Sequence, residues 1–141
     1  MPQLKLVSGS HVSRPTNLAS RSSLLGCSIL IVEDEPLIAL DLQATLEAAG
    51  ADVICCKAHD AVRMVGQKTF TAAVLDARPG SSDHRPIARH LRDSKVPFLF
   101  YSTQAPEDVT TVRGAPVVLK PGRPQDIVGA VALLLGRNVQ P

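Results

Sequence analysis

Five short apolar runs constrain the fold of this chain most strongly, because each has the length of a buried strand and most stop on polar residues. Segments with helical features separate them. The runs are CSILIVED (27–34), DVICC (52–56), AAVLD (72–76), VPFLFYS (96–102) and APVVLKP (115–121). Continuously apolar strands that alternate with helices are typical of a parallel sheet covered on both faces. We therefore predict a small, doubly wound α/β domain.

Proline residues mark where the intervening helices begin. Pro36, Pro86 and Pro124 each open a segment with helical spacing, where a missing backbone N–H is tolerated. Asp60 is the expected N-cap of one further helix. In the first of these segments, an apolar stripe is expected to face the core: Leu37, Leu40, Ala44 and Ala48. Segment 103–115 lacks such a period, so the helix before the fifth strand is predicted to be short or missing.

The two ends of the chain differ from its centre. Residues 1–25 carry a net charge of +3 and no acidic residue, and their Ser, Asn and Pro content predicts a flexible basic tail. The domain is expected to span residues 26–137, with residues 138–141 as a C-terminal tail that is too short for an output domain.

Composition excludes several classes of function. Residues 26–141 carry a net charge of −1, so no broad cationic face for nucleic acid is expected. No run reaches the roughly 18 apolar residues that a membrane span needs. Cys27, Cys55 and Cys56 have no metal-ligand spacing and are interpreted as reduced thiols. We expect a cytoplasmic protein without a nucleic-acid or membrane partner.

Polar side chains stand at the carboxyl ends of four predicted strands, where open parallel sheets bind their ligands. Carboxylates held close together repel one another, and a hard cation such as Mg²⁺ relieves that repulsion. A metal beside an ammonium and a hydroxyl can position a phosphoryl group, which an aspartate can accept. The residues therefore predict phosphoryl transfer onto Asp76. The polar set is Glu33, Asp34, Asp76, Ser102, Thr103 and Lys120.

The order of these motifs resembles that of the receiver domain of bacterial two-component response regulators. ILIVEDEP, AAVLDA, PFLFYST and VLKP follow one another in the family's order, over roughly residues 27–135. The resemblance implies a flavodoxin-like topology with strand order 2-1-3-4-5 and Mg²⁺ as the cofactor. It also implies a histidine kinase or histidine phosphotransferase as phosphoryl donor, and a downstream protein target.

The resemblance assigns metal and acceptor roles to single residues. Asp76 matches the phosphorylated aspartate, which also contacts the metal. Asp34 matches the direct metal ligand, and Glu33 the acid that reaches the metal through water. The backbone carbonyl of Arg78 matches the third protein ligand.

Four further residues match the part of the family's site that binds the phosphoryl group. Ser102 matches the hydroxyl that turns toward a phosphoryl oxygen, with Thr103 as the neighbouring alternative. Lys120 matches the lysine that pairs with the phosphoryl group. Pro121 matches the proline that follows this lysine through a cis peptide.

The sequence departs from the family in three places. Pro79 comes one residue early after the acceptor. Val117 stands where the family commonly has an aromatic switch residue, unless Phe100 or Tyr101 substitutes for it. The interval from the hydroxyl to the lysine is shorter than usual.

We expect a stand-alone response regulator that accepts a phosphoryl group on Asp76 and catalyses only its own phosphorylation and dephosphorylation. Two alternatives stay open. The first is a pseudo-receiver, an interaction module that signals without phosphorylation. The second is an aspartate-nucleophile phosphatase, although Arg78 stands where such enzymes carry a second acid.

Overall fold

The computed structural model describes residues 22–77, 84–103 and 115–137. Five parallel strands form one sheet in the order β2-β1-β3-β4-β5, which confirms the predicted topology. The segment between β4 and β5, where a short or missing helix is predicted, lies largely outside these residues. In chain order the elements are β1 (Ser28–Val32), α1 (Pro36–Ala48), β2 (Asp52–Cys56), α2 (Ala58–Gln67), β3 (Ala72–Ala77), α3 (His84–Asp93), β4 (Phe98–Ser102), β5 (Val117–Leu119) and α4 (Pro124–Leu134).

Two apolar layers cover the sheet, one on each face. Along β1, Ile29 and Ile31 enter the layer that α1 and α4 close, whereas Leu30 enters the layer of α2 and α3. All three side chains are fully buried. Burial on both faces explains why the strand is continuously apolar, and each such side chain stabilises the fold by about 1.5–3 kcal/mol.

Helix α1 presents a different face to the core from the one predicted. Leu42 and Leu46 are buried against the sheet, while Leu37 and Leu40 are 76% and 63% exposed. The predicted stripe is therefore wrong. Nine of the thirteen residues of this helix are apolar, so more than one stripe at helical spacing fits the sequence. Packing against the sheet decides which of them is buried.

Helix α2 begins earlier than predicted and is capped by a distant residue. It starts at Ala58, and its N-cap residue Lys57 makes no side-chain capping bond. Instead, the backbone N–H of Ala58 donates to Oδ1 of Asp34 at 2.9 Å. Asp60 lies in the first turn and bonds with Arg63. The prediction that Asp60 is the N-cap is wrong, because a carboxylate from the end of β1 supplies this function.

The two ends of the described fold are joined. The Leu24 side chain is fully buried, and its N–H donates to the carbonyl of Ala49 at 2.9 Å. After α4, Nη1 of Arg137 donates to the carbonyls of Ser23 at 3.2 Å and Leu25 at 2.9 Å. The packed structure thus includes residues that precede the boundary at residue 26.

Candidate functional site

Lys120 is held between two carboxylates at the carboxyl ends of the strands. Its Nζ atom donates to Oδ1 of Asp76 at 2.8 Å and to Oε1 of Glu33 at 3.1 Å. The exposed fractions of these side chains are 13% for Lys120, 8% for Asp76 and 2% for Glu33. The structure thus brings three of the predicted site residues into one nearly buried ion network.

The sheet register explains how residues so far apart in sequence meet. β3 and β4 pair so that Asp76 lies beside Tyr101, and β4 and β5 pair so that Ser102 lies beside Leu119. The next residue, Lys120, donates its backbone N–H to the carbonyl of Ser102 at 2.7 Å. Because all of the strands are parallel, their carboxyl ends share one edge of the sheet.

The network contains two carboxylates and one ammonium. Burial lowers the pKa of Lys120, but its hydrogen bonds to Asp76 and Glu33 and their charges outweigh burial, so that this pKa lies above its ordinary value. The ammonium is therefore charged at neutral pH. Lys120 thus offers one positive charge to two acidic side chains of the network.

The three predicted metal-binding carboxylates have different surroundings. Glu33 uses its second oxygen, Oε2, to accept the backbone N–H of Glu35 at 3.2 Å. Asp34 holds the start of α2 through Ala58. In residues 22–77, 84–103 and 115–137, no group of three or more His, Cys, Asp and Glu side chains is arranged to hold a metal ion. Arg78 lies outside the described residues.

The two candidate hydroxyls differ in burial. Ser102 is fully buried at the end of β4, whereas Thr103 is exposed immediately after the strand. Of the two, Ser102 thus shares the nearly buried setting of the carboxylates. The peptide bond between Lys120 and Pro121 is cis, as the resemblance implied.

Sequence reasoning missed one contact at the site. The phenolic oxygen of Tyr101 accepts the backbone N–H of Gly122 at 2.8 Å, and Nζ of Lys120 lies 5.4 Å from the centre of the Tyr101 ring. The sequence indicates Tyr101 only as a substitute for the missing aromatic residue at Val117. The glycine immediately after Lys120-Pro121 is the sequence signal that could have indicated a close approach here.

The chain is similar in sequence to a known regulator. No protein-family model matches the chain. The phyllosphere-induced regulator PhyR of Methylorubrum extorquens is 30% identical over 118 residues, which cover 79% of this chain and 44% of PhyR. The chain thus spans less than half the length of this curated relative.

Solved structures of response regulators have a similar fold. A response regulator receiver protein from Sinorhizobium medicae is 27% identical, with a TM-score of 0.69, over 78% of this chain and 94% of that one. This chain folds as a response regulator receiver domain. A second similar structure, the anti-anti-sigma factor PhyR from Bartonella quintana, is 26% identical, with a TM-score of 0.67, over 79% of this chain and 48% of that one.

The receiver-domain prediction and its assignment to two-component signalling are confirmed. Receiver domains are generally signalling domains rather than enzymes. Among the described residues, no helix is both long and apolar enough to cross a membrane.

Proposed function

We propose that this receiver domain accepts a phosphoryl group on Asp76 from a partner histidine kinase or histidine phosphotransferase. The observation that carries the proposal is the contact of Lys120 with Asp76 at 2.8 Å, in a network that also contains Glu33. A nearly buried ammonium that already touches the acceptor oxygen lies where it can neutralise charge on an incoming phosphoryl group.

The residues at the carboxyl edge of the sheet supply the kind of ligands that a magnesium ion binds. Mg²⁺ prefers oxygen ligands and keeps several waters, so one or two carboxylates suffice to hold it. Asp76, Asp34 and the Arg78 carbonyl would hold the ion, and Glu33 would bind one of its waters. An ionised carboxylate can accept several bonds, so the bond between Asp34 and Ala58 is compatible with this role. When bound, the ion supplies positive charge beside the transferred group.

The proposed reaction replaces one phosphoryl bond by another. A carboxylate oxygen of Asp76 forms the new bond to phosphorus while the bond from phosphorus to the donor's histidine nitrogen breaks. Lys120 exchanges part of its contact with Asp76 for a phosphoryl oxygen. The hydroxyl of Ser102, at the end of the adjacent strand, donates to another phosphoryl oxygen. The added negative charge biases the surface that a downstream protein binds.

The relatives suggest where to look for the donor. The Bartonella quintana relative is described as an anti-anti-sigma factor, and this chain spans about half of that protein. A histidine kinase that phosphorylates a regulator of this type is therefore the first donor to test. The downstream protein target of this domain is a separate question for binding experiments.

The experiment is incubation with acetyl phosphate and Mg²⁺, followed by intact mass measurement. We expect the wild type to gain one phosphoryl group and Asp76→Asn to gain none. Asp52→Asn is the matched control, because it makes the same chemical change at an exposed aspartate at the start of β2. It should be phosphorylated like the wild type. An adduct that persists in Asp76→Asn, or no adduct on the wild type, would contradict the proposal.

One observation favours the pseudo-receiver as a second candidate. Val117, which pairs with Phe100 of β4 and is half-buried, has no ring at the position where the family commonly has an aromatic switch residue. Amide spectra recorded with Mg²⁺ and beryllofluoride separate the two candidates. A phosphoacceptor should show shifts around Asp76, Ser102 and Lys120, whereas a pseudo-receiver should show none.

A further inference from the structure

Tyr101 contacts the lysine loop in two different ways. Its hydroxyl oxygen accepts the N–H of Gly122 at 2.8 Å, two residues after Lys120. Its ring lies beneath the Lys120 ammonium, with 5.4 Å between Nζ and the ring centre, which is within the range of a cation–π interaction. Tyr101 itself is only 5% exposed. One buried side chain thus contacts both the backbone of this loop and its charged group.

The space around Gly122 is matched to the tyrosine. A Cβ atom at Gly122 would lie 3.2 Å from Cε1 of Tyr101 and equally close to side-chain carbons of Val118 and Ile127. Because such distances are tighter than ordinary contacts, any larger residue here would push against the ring. The absence of a side chain at Gly122 therefore lets its N–H approach the phenolic oxygen.

We propose that Tyr101 is a positioning residue for Lys120. The hydroxyl fixes the backbone that follows the lysine, and the ring face supports the ammonium from below. Together they keep Nζ directed at Asp76 and Glu33, which neighbouring strands hold in place. The inference rests on the proposed function where it states that the placement of Lys120 sets the rate of phosphorylation. The geometric part, that Tyr101 places Lys120, stands independently of it.

Because Tyr101 is held in place, its proposed role differs from that of an aromatic switch residue, which moves on activation. A side chain that is buried and bonded through its hydroxyl stays in place when the site changes, while the group above its ring can move. It is also the only tyrosine in a chain without tryptophan, so the tyrosine emission of the protein arises from this residue alone. Emission should therefore respond when Lys120 shifts toward a phosphoryl mimic.

Two substitutions separate the two contacts. Tyr101→Phe removes the hydroxyl and keeps the ring, whereas Tyr101→Leu removes both. Phe98→Leu is the matched control, because Phe98 is a buried aromatic residue of the same strand that packs in the opposite apolar layer. Three quantities are measured: the Cε–Hε NMR shifts of Lys120, hydrogen exchange at the Gly122 amide, and the rate of phosphorylation by acetyl phosphate.

We expect Tyr101→Phe to speed amide exchange at Gly122 and to move the Lys120 shifts slightly, because the ring stays while the backbone after the lysine loosens. This variant should slow phosphorylation about fivefold, the size of one net hydrogen bond. Tyr101→Leu should also move the Lys120 shifts, because the ring current is lost. It should slow phosphorylation by about twentyfold in total. Phe98→Leu should lose stability yet retain the Lys120 shifts and the wild-type rate.

Several results would overturn the inference. One is a Tyr101→Leu protein whose Lys120 shifts match the wild type. Another is a Phe98→Leu protein that is slowed as much as Tyr101→Leu, since the effect would then follow stability alone. If Tyr101→Leu does not fold, unchanged exchange at Gly122 in Tyr101→Phe would also overturn it. If the wild type is never phosphorylated, the proposed function fails, and the shifts and the exchange still decide whether Tyr101 places Lys120.

Discussion

Replacing Lys120 by methionine should destabilise the protein strongly. Methionine keeps the apolar length of the side chain but removes the ammonium that contacts both Glu33 and Asp76. Removing one partner of a buried ion pair costs about 3–5 kcal/mol. Since Lys120 is itself 13% exposed, we expect the lower end, about 3 kcal/mol in the free energy of unfolding.

Two further variants serve as controls for the loss of stability in Lys120→Met. Asp76→Asn leaves Lys120 paired with Glu33 and removes the repulsion between the carboxylates, so it should cost less than about 1 kcal/mol. Arg123→Met removes a positive charge from an exposed pair with Asp126, and it should leave stability unchanged within error.

Urea unfolding followed by far-ultraviolet circular dichroism, at neutral pH, low salt and without Mg²⁺, measures all three variants. With an ordinary slope of about 1–3 kcal/mol per M, a loss of about 3 kcal/mol lowers the midpoint by about 1–3 M. The slope itself should not change. If Lys120→Met is as stable as Asp76→Asn, the ammonium does not offset the repulsion between the two carboxylates, and this reasoning is refuted.

The pKa of Lys120 determines how the stability difference between wild type and Lys120→Met depends on pH. The pKa of Lys120 in the folded protein lies above its ordinary value of 10.5, because the bonds to Asp76 and Glu33 outweigh burial. The folded state therefore holds this proton more tightly than the unfolded chain. Its stabilising effect is complete below pH 10.5 and is lost as the pH rises through the raised value. On the alkaline side, the difference in stability between wild type and Lys120→Met should therefore shrink over that range.

Three further predictions concern single positions. Asp34→Ala should cost about 1 kcal/mol without metal and speed amide exchange at Ala58, because α2 loses its cap. Gly122→Ala should cost about 1–3 kcal/mol in urea unfolding and change the emission of Tyr101, because its Cβ would crowd the ring. Burial raises the pKa of Cys56 to about 11, so iodoacetamide at pH 8 should alkylate it about a hundredfold more slowly than an ordinary thiol, as peptide mapping can measure. Wild-type behaviour of Asp34→Ala or of Gly122→Ala would contradict the corresponding contact, and alkylation of Cys56 at the rate of an ordinary thiol would contradict its raised pKa.

The sheet could be predicted because the apolar pattern that indicates each strand lies within a few consecutive residues. A strand buried on both faces must be apolar throughout, so the place where its apolar run stops is visible in the sequence. This is why Glu33, Asp76 and Lys120 could be assigned to one edge before their distances were known. Parallel strands then bring those ends together without further information.

What could not be predicted depends on contacts between distant segments. Asp34 caps a helix that begins 24 residues later, and Tyr101 bonds to a backbone group 21 residues away. Neither distance corresponds to a helical or strand period. The buried face of α1 was unpredictable for another reason, since the apolar residues of this helix are spread around it and more than one face fits the helical period.

The bonds from Arg137 to Ser23 and Leu25 have a practical consequence for handling this molecule. They bring the two ends of the described fold together at the edge of the sheet where the strands begin, opposite the carboxylates. A dye, affinity handle or fused domain attached near either end is therefore separated from Asp76 by the full length of the strands. Labels at both ends of the described fold would also sit close enough to report fraying of the α4 terminus without contacting the carboxylates at the other edge.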